Sequence, residues 1–150
     1  MSVDFKEIGE TYVGDNPAIM KVKRVTMGAS SAGVDVAFTA AGVYELFEIP
    51  AGTLVWAAKT RITEAFSGTT PTLNIGDTDS AVWCATATVA PASTGVMLKF
   101  GGDGSIFSDT DMGGGKIYDA AQAINATLGD TWGGAGVCEL YVCYAEAGLL

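Results

Sequence analysis

Histidine is absent from this chain of 150 residues, and its absence limits the chemistry open to the remaining side chains. The commonest general base, the usual partner of a serine or cysteine nucleophile and the commonest metal ligand are all missing. Carboxylates are the reactive groups left in number, seventeen in all. Two acids roughly 5 to 10 Å apart can hydrolyse a glycoside. Among seventeen, some pair falls at that separation by chance, so the sequence marks no catalytic pair and the chain is read as a non-enzyme.

The aspartates offer a second chemistry. Asp77 and Asp79 lie in GDTDS, and Asp103, Asp109 and Asp111 lie in the glycine-rich stretch GGDGSIFSDTDMGGG. Hard cations such as Ca²⁺ take about six to eight oxygens, and carboxylates two residues apart in a loop can supply some of them. The known loop patterns do not fit. An EF-hand opening at Asp109 would need a glutamate where Ala120 stands, and GGDGSI carries Ile106 where a calcium-binding β-roll repeat needs an acid. Aspartate and glycine in turns are explained by backbone capping and tolerance of left-handed conformations, so no metal and no cofactor are expected.

Cys84, Cys138 and Cys143 form no CxxC pair and no zinc spacing, and an odd count suits buried reduced thiols better than a disulfide framework. Cys138 and Cys143 are five positions apart in one extended run, which points them to opposite faces of a flat strand. The glycine runs 113–115 and 133–134 lack the Lys-Ser/Thr of a phosphate loop. Trp56 and Trp83 lie in strand patterns and read as core or interface, whereas Trp132, in GDTWGGAG, is placed near the surface as a contact anchor.

These residues must be held by strands. Residues 54–66 form a long extended run after the Pro50-Ala51-Gly52 turn, with Trp56, Ala58, Thr60, Ile62, Glu64 and Phe66 on one face. Residues 72–75 resume the pattern after a break. Further extended runs are expected over 18–27, 34–39, 43–49, 81–89 and 96–100, with a loop over 28–33. The run 43–49 shows apolar residues on both faces, and 137–145 (VCELYVCYA) is apolar enough on both faces to be a central strand. Eight to ten short strands separated by turn signals, with no fixed repeat and no long amphipathic helix, predict an all-β, two-sheet antiparallel sandwich, jelly-roll-like in packing. Residues 1–17 are polar and aperiodic, so they read as an N-terminal arm, with residues 18–150 forming one domain.

Charge excludes further classes. Residues 1–24 balance Lys6, Lys21, Lys23 and Arg24 against Asp4, Glu7, Glu10 and Asp15; residues 25–150 hold four basic and thirteen acidic residues, the entire net charge of −9. Such a body repels a phosphate backbone, so nucleic acid is not an expected partner, and it favours a partner surface carrying positive charge. No window approaches the ~20 apolar residues of a spanning helix, so no membrane association is expected. The N-terminus lacks the basic start and apolar stretch of a signal peptide, and the chain is expected to act as it is made in a cytoplasm.

Several of these segments together resemble small virion structural proteins of tailed bacteriophages. The firmest are residues 49–55, opening with Ile49-Pro50-Ala51-Gly52, residues 63–77, with Thr63-Glu64-Ala65-Phe66 and GTTPTLNIGD, Gly113-Gly114-Gly115-Lys116-Ile117-Tyr118 and the closing residues 139–144, within a span of roughly 43–147. The resemblance implies a β-sandwich virion component, often a homotrimer, with no cofactor and no catalysis. It also implies extended structure for residues 116–128, whose alanines alone would favour helix. Among virion roles the expectation is a capsid decoration (cement) protein, assembled in the bacterial host cytoplasm and placed on the outer capsid surface. Its partner would be the major capsid protein, touched through Phe5, Lys6, Ile8, Tyr12 and Val13 of the arm. The alternatives are a tail or fibre-tip module binding a host receptor or glycan through Trp132 and residues 101–115, and a non-viral β-sandwich hydrolase.

Overall fold

The structure is a computed structural model, described here for residues 21–78, 82–84, 115–129 and 131–145. Among the described residues there are nine strands: β1 (Lys21–Ala29), β2 (Val36–Phe38), β3 (Gly42–Ile49), β4 (Thr53–Glu64), β5 (Leu73–Asp77), β6 (Val82–Cys84), β7 (Lys116–Tyr118), β8 (Gln122–Leu128) and β9 (Val137–Ala145). They form a five-stranded sheet of order β2-β1-β9-β4-β7 and a four-stranded sheet of order β3-β8-β5-β6. From β2 onward the chain crosses between sheets at almost every connection, which is the jelly-roll manner of building an all-β sandwich. The only helical turn among the described residues is a single 3₁₀ turn, Ser30–Ala32.

The two inner faces make one apolar core. Met27, Val55, Ala58, Ile62, Cys138, Leu140 and Val142 of the larger sheet pack against Ile49, Leu73, Ile75, Trp83, Ile124, Ala126 and Leu128 of the smaller. Each large side chain buried there contributes about 1.5–3 kcal/mol. Strand β9 is central, paired on one side with β1 and on the other with β4, as its two-sided apolarity predicts. Residues 116–128 are extended, but as two strands in different sheets, with Asp119 and Ala120 at the bend between them.

Two expected faces are redrawn by β-bulges. In β4 the register passes from Val55↔Tyr144 to Ala57↔Cys143, leaving Trp56 as the extra residue. Thr53 and Val55 therefore face the core with Ala58, Thr60 and Ile62, while Trp56 leaves the face that strict alternation assigns it. In β3 the register passes from Glu45↔Asn125 to Phe47↔Ile124, and Leu46 is the extra residue. What alternation renders as two mixed faces becomes one: Tyr44, Phe47 and Ile49 turn inward, while Val43, Glu45 and Glu48 are exposed.

Among the described strands the expected antiparallel pairing has one exception, β1 with β2, which run parallel. The 3₁₀ turn and Gly33, held at φ 66°, redirect the chain within a few residues. Asp35 then pins the connection, its carboxylate accepting from both the Thr26 amide and the Thr26 hydroxyl at 2.8 Å. These hydrogen bonds hold the Asp35 carboxyl below the usual carboxylate range.

Candidate functional site

Polar side chains gather in three places, and each is built by a different part of the sandwich. The first lies between the sheets. Tyr118 on β7 turns inward from the edge of the larger sheet; its hydroxyl donates to Asp77 of β5 at 2.8 Å and accepts from the Trp83 indole N–H of β6 at 2.9 Å. Lys116, two residues earlier and so on the same face of β7, reaches the same Asp77 oxygen at 3.0 Å. The Asp77 side chain is fully buried, and a buried carboxylate is tolerated only when paired and hydrogen-bonded in this way. The arrangement ties the two sheets together. Asp77, one of the aspartates considered for a metal, is thereby committed to a lysine and a tyrosine.

The second gathering lies on the outer face of the larger sheet. Cross-strand register places Arg24, Tyr141 and Lys59 in one row and Thr26, Glu139 and Arg61 in the next. Glu139 pairs with Arg24 and accepts from the Tyr141 hydroxyl at 2.9 Å. The Arg24 and Tyr141 hydrogen bonds hold its carboxyl below the usual range. Beside this row Ala57, Ala58, Lys59, Arg61, Tyr141 and Cys143 line a depression of about 410 Å³.

The third comprises the two ends of the sandwich. At one end Gly68 bridges to Trp132, and a Cβ on Gly68 would fall 1.9 Å from the Thr131 carbonyl oxygen, so only glycine allows that approach. Trp132 is half-buried: its indole N–H donates to the Ala135 carbonyl at 2.8 Å and its ring meets Phe38 edge-on at 6.2 Å. Phe38 also meets the Tyr44 ring at 4.7 Å, tilted by 48°, and the Tyr44 hydroxyl accepts from the Thr39 and Ala40 amides. The opposite end opens as a cleft of about 200 Å³ between the sheets, with Val55, Ile49 and Val142 deep in it and Lys23 over the Phe47 ring at its rim. Thr53 lines this cleft, and its buried hydroxyl has no hydrogen-bond partner among the described residues.

The sequence-derived site residues distribute as follows. Trp132 sits in a loop as expected, but its polar atom and one ring edge are used within the subunit. Trp83 is wholly core. Phe5, Lys6, Ile8, Tyr12 and Val13 lie outside the described residues, as do Asp79, Asp103, Asp109 and Asp111. Among the described residues no cluster of acidic or cysteine side chains has the makings of a metal site, and no helix is long and apolar enough to cross a membrane. Cys138 is buried and free, its thiol pushed up to about 12 by burial, while Cys143 is free on the opposite face. The Trp83–Tyr118–Asp77–Lys116 chain and the Arg24–Glu139–Tyr141 cluster were not foreseen, because each depends on strand register rather than on a local motif.

No protein-family model matches the chain, and no curated protein does. Solved structures do. The chain is similar to one in the cyanophage Pam1 capsid asymmetric unit, with 19% identity, a TM-score of 0.55 and coverage of 85% of this chain and 84% of that one. It is similar to one in the acidic stable capsid structure of Helicobacter pylori bacteriophage KHP30, with 11% identity, a TM-score of 0.58 and coverage of 88% and 91%. A third, in the capsid of Ralstonia phage GP4, has 16% identity, a TM-score of 0.55 and coverage of 89% and 88%. The chain shares its fold with components of phage capsids. Because most of each matched chain is covered, the likeness extends over nearly a whole small subunit.

Proposed function

We propose that this chain is a bacteriophage virion structural protein, and specifically a capsid decoration protein that sits on the outside of the assembled shell and stabilises it. The observation that carries the reading is the agreement of nearly the whole chain with small chains of three phage capsid structures. The composition supports the same reading, since a small acidic sandwich without histidine has little to offer catalysis. So does the use of its polar groups: Asp77, Glu139, Tyr118 and Tyr141 are hydrogen-bonded to one another and to Lys116 and Arg24 within the subunit rather than converging on a substrate cleft.

A decoration protein acts by repetition. Each copy adds modest contacts to the major capsid protein, and the icosahedral shell multiplies them, so the sum resists internal pressure even when one contact is weak. In this proposal the chain is a homotrimer, and residues 1–17 form the arm that reaches onto the shell through Phe5, Lys6, Ile8, Tyr12 and Val13. The test is co-sedimentation with undecorated shells assembled from the major capsid protein of the same genome, with the oligomer mass measured beforehand. Full-length protein is expected to sediment with the shells as a trimer. A variant lacking residues 1–16 is expected to lose shell binding while keeping its melting temperature. Equal loss of binding and of folding contradicts the arm, and failure of the full-length protein to bind contradicts the shell role.

A further inference from the structure

The two outer faces of the sandwich differ in charge. All six described basic residues lie on strands of the larger sheet, but only Arg24, Lys59 and Arg61 point to its outer face; Lys116 turns inward to Asp77, and Lys21 and Lys23 alternate with Arg24 toward the inner side, Lys23 lying over Phe47 of the smaller sheet. The smaller sheet carries none, and its outer face holds the exposed Glu45 and Glu48. Lys116 and Arg24 are spent on Asp77 and Glu139. Lys59 and Arg61 are exposed and in no ion pair among the described residues, and they flank the depression floored by Ala57 and Cys143 with Tyr141 beside it. In a chain of net charge −9, two cations thus border an apolar floor beside Tyr141, and arginine and tyrosine are residue types enriched among interface anchors.

We infer that this face of the larger sheet docks a carboxylate-bearing surface of the shell, and that the smaller sheet, with Glu45 and Glu48, faces solution. The inference rests on the shell-binding role proposed above and adds the side that binds and the chemistry of the partner. A second copy is the poorer occupant. The basic and acidic faces lie on opposite sides of a two-layer slab, so copies joined face to face would stack into an open filament rather than close on themselves. A nucleic acid is poorer too, because its continuous run of phosphates would meet Glu139 and Glu64 along with Arg61, whereas a single carboxylate set between Lys59 and Arg61 need not. A carboxylate set against Arg61 and Lys59 gains charge-assisted hydrogen bonds in a partly desolvated site.

The experiment compares shell binding of the full-length protein, of a Lys59→Glu/Arg61→Glu variant and of a Glu45→Lys/Glu48→Lys variant, with melting curves for each. A Lys59→Gln/Arg61→Gln variant guards against misfolding of the charge-reversed form. The inference expects the reversal at 59 and 61 to weaken binding at least about tenfold, neutralisation to weaken it less, and the change at 45 and 48 to leave it intact. Binding within about twofold of the unmodified protein after reversal at 59 and 61 overturns it while leaving the shell role standing. If the unmodified protein binds no shell, the shell role fails, and the face is judged by NMR titration with hexaglutamate and with duplex DNA. Shifts at residues 57–61 and 141 with hexaglutamate alone uphold carboxylate recognition; shifts with DNA, or with neither, overturn it.

Discussion

Asp77 and Glu139 are built alike and placed differently. Each carboxylate is held by one cation and one tyrosine hydroxyl, Lys116 and Tyr118 for the first, Arg24 and Tyr141 for the second. Asp77 lies between the sheets, where it joins β5 of one to β7 of the other, and its side chain has 0% exposure. Glu139 joins two neighbouring strands of a single sheet on the outer face, beside an Arg24 side chain that is 55% exposed. The same three groups are therefore a structural requirement in one place and an adjustable surface in the other. Desolvation grades the difference: Asp77 has no access to water, whereas Glu139, itself only 11% exposed, is paired with a cation that water reaches.

The largest expected effect follows from breaking the inner set. Asp77→Ala leaves the Lys116 ammonium and the Tyr118 hydroxyl without their carboxylate, and unfolding in urea should show a loss of about 3–5 kcal/mol. A loss below about 1 kcal/mol would erase the distinction between the two sites. Trp83→Phe keeps the aromatic ring and removes only the indole N–H that donates to Tyr118, so a loss of about 1–2 kcal/mol is expected in the same assay. Glu139→Gln is expected to cost less than about 1 kcal/mol, and a larger cost would mean that the outer cluster also holds the fold.

The smallest effect is that of pH. Glu139 and Asp35 have carboxyl groups held below their ordinary values of 4.5 and 3.8, so the stability they add is present above those values and fades as pH falls through the lower values of the folded state. Melting temperature measured from pH 6 downward should therefore drop more steeply for the unmodified protein than for Glu139→Gln below about pH 4.5. Parallel curves would show that Glu139 contributes nothing through its ionisation.

The legibility of the fold in the sequence followed the same division. Elements marked by local signals were readable: the Pro50-Ala51-Gly52 turn, the long strand after it, and the two-sided apolar run that became central β9. Faces were less readable, because a bulge shifts alternation by one residue and carries no residue signature of its own. The mixed faces of residues 43–49 were the visible trace of the bulge at Leu46, just as Trp56 among the inward residues was the trace of the other. Contacts between distant strands were not readable at all. Trp83 and Tyr118 are 35 residues apart, and Arg24 and Glu139 are 115 apart, so only the sheet order brings them together. The parallel pairing of β1 with β2 was hidden for a related reason, since the Thr26 amide just before it is met by the Asp35 carboxylate, nine residues on, and no local motif marks that contact.

The central claim is that this sandwich decorates a capsid, and it is tested most directly by electron cryomicroscopy of undecorated shells mixed with the purified protein. The account predicts ordered density for the sandwich on the outside of the shell at three-fold or quasi-three-fold positions, with the Lys59 and Arg61 face toward the shell. Shells that remain bare at saturating protein would contradict it and move the chain to a tail or receptor-binding role.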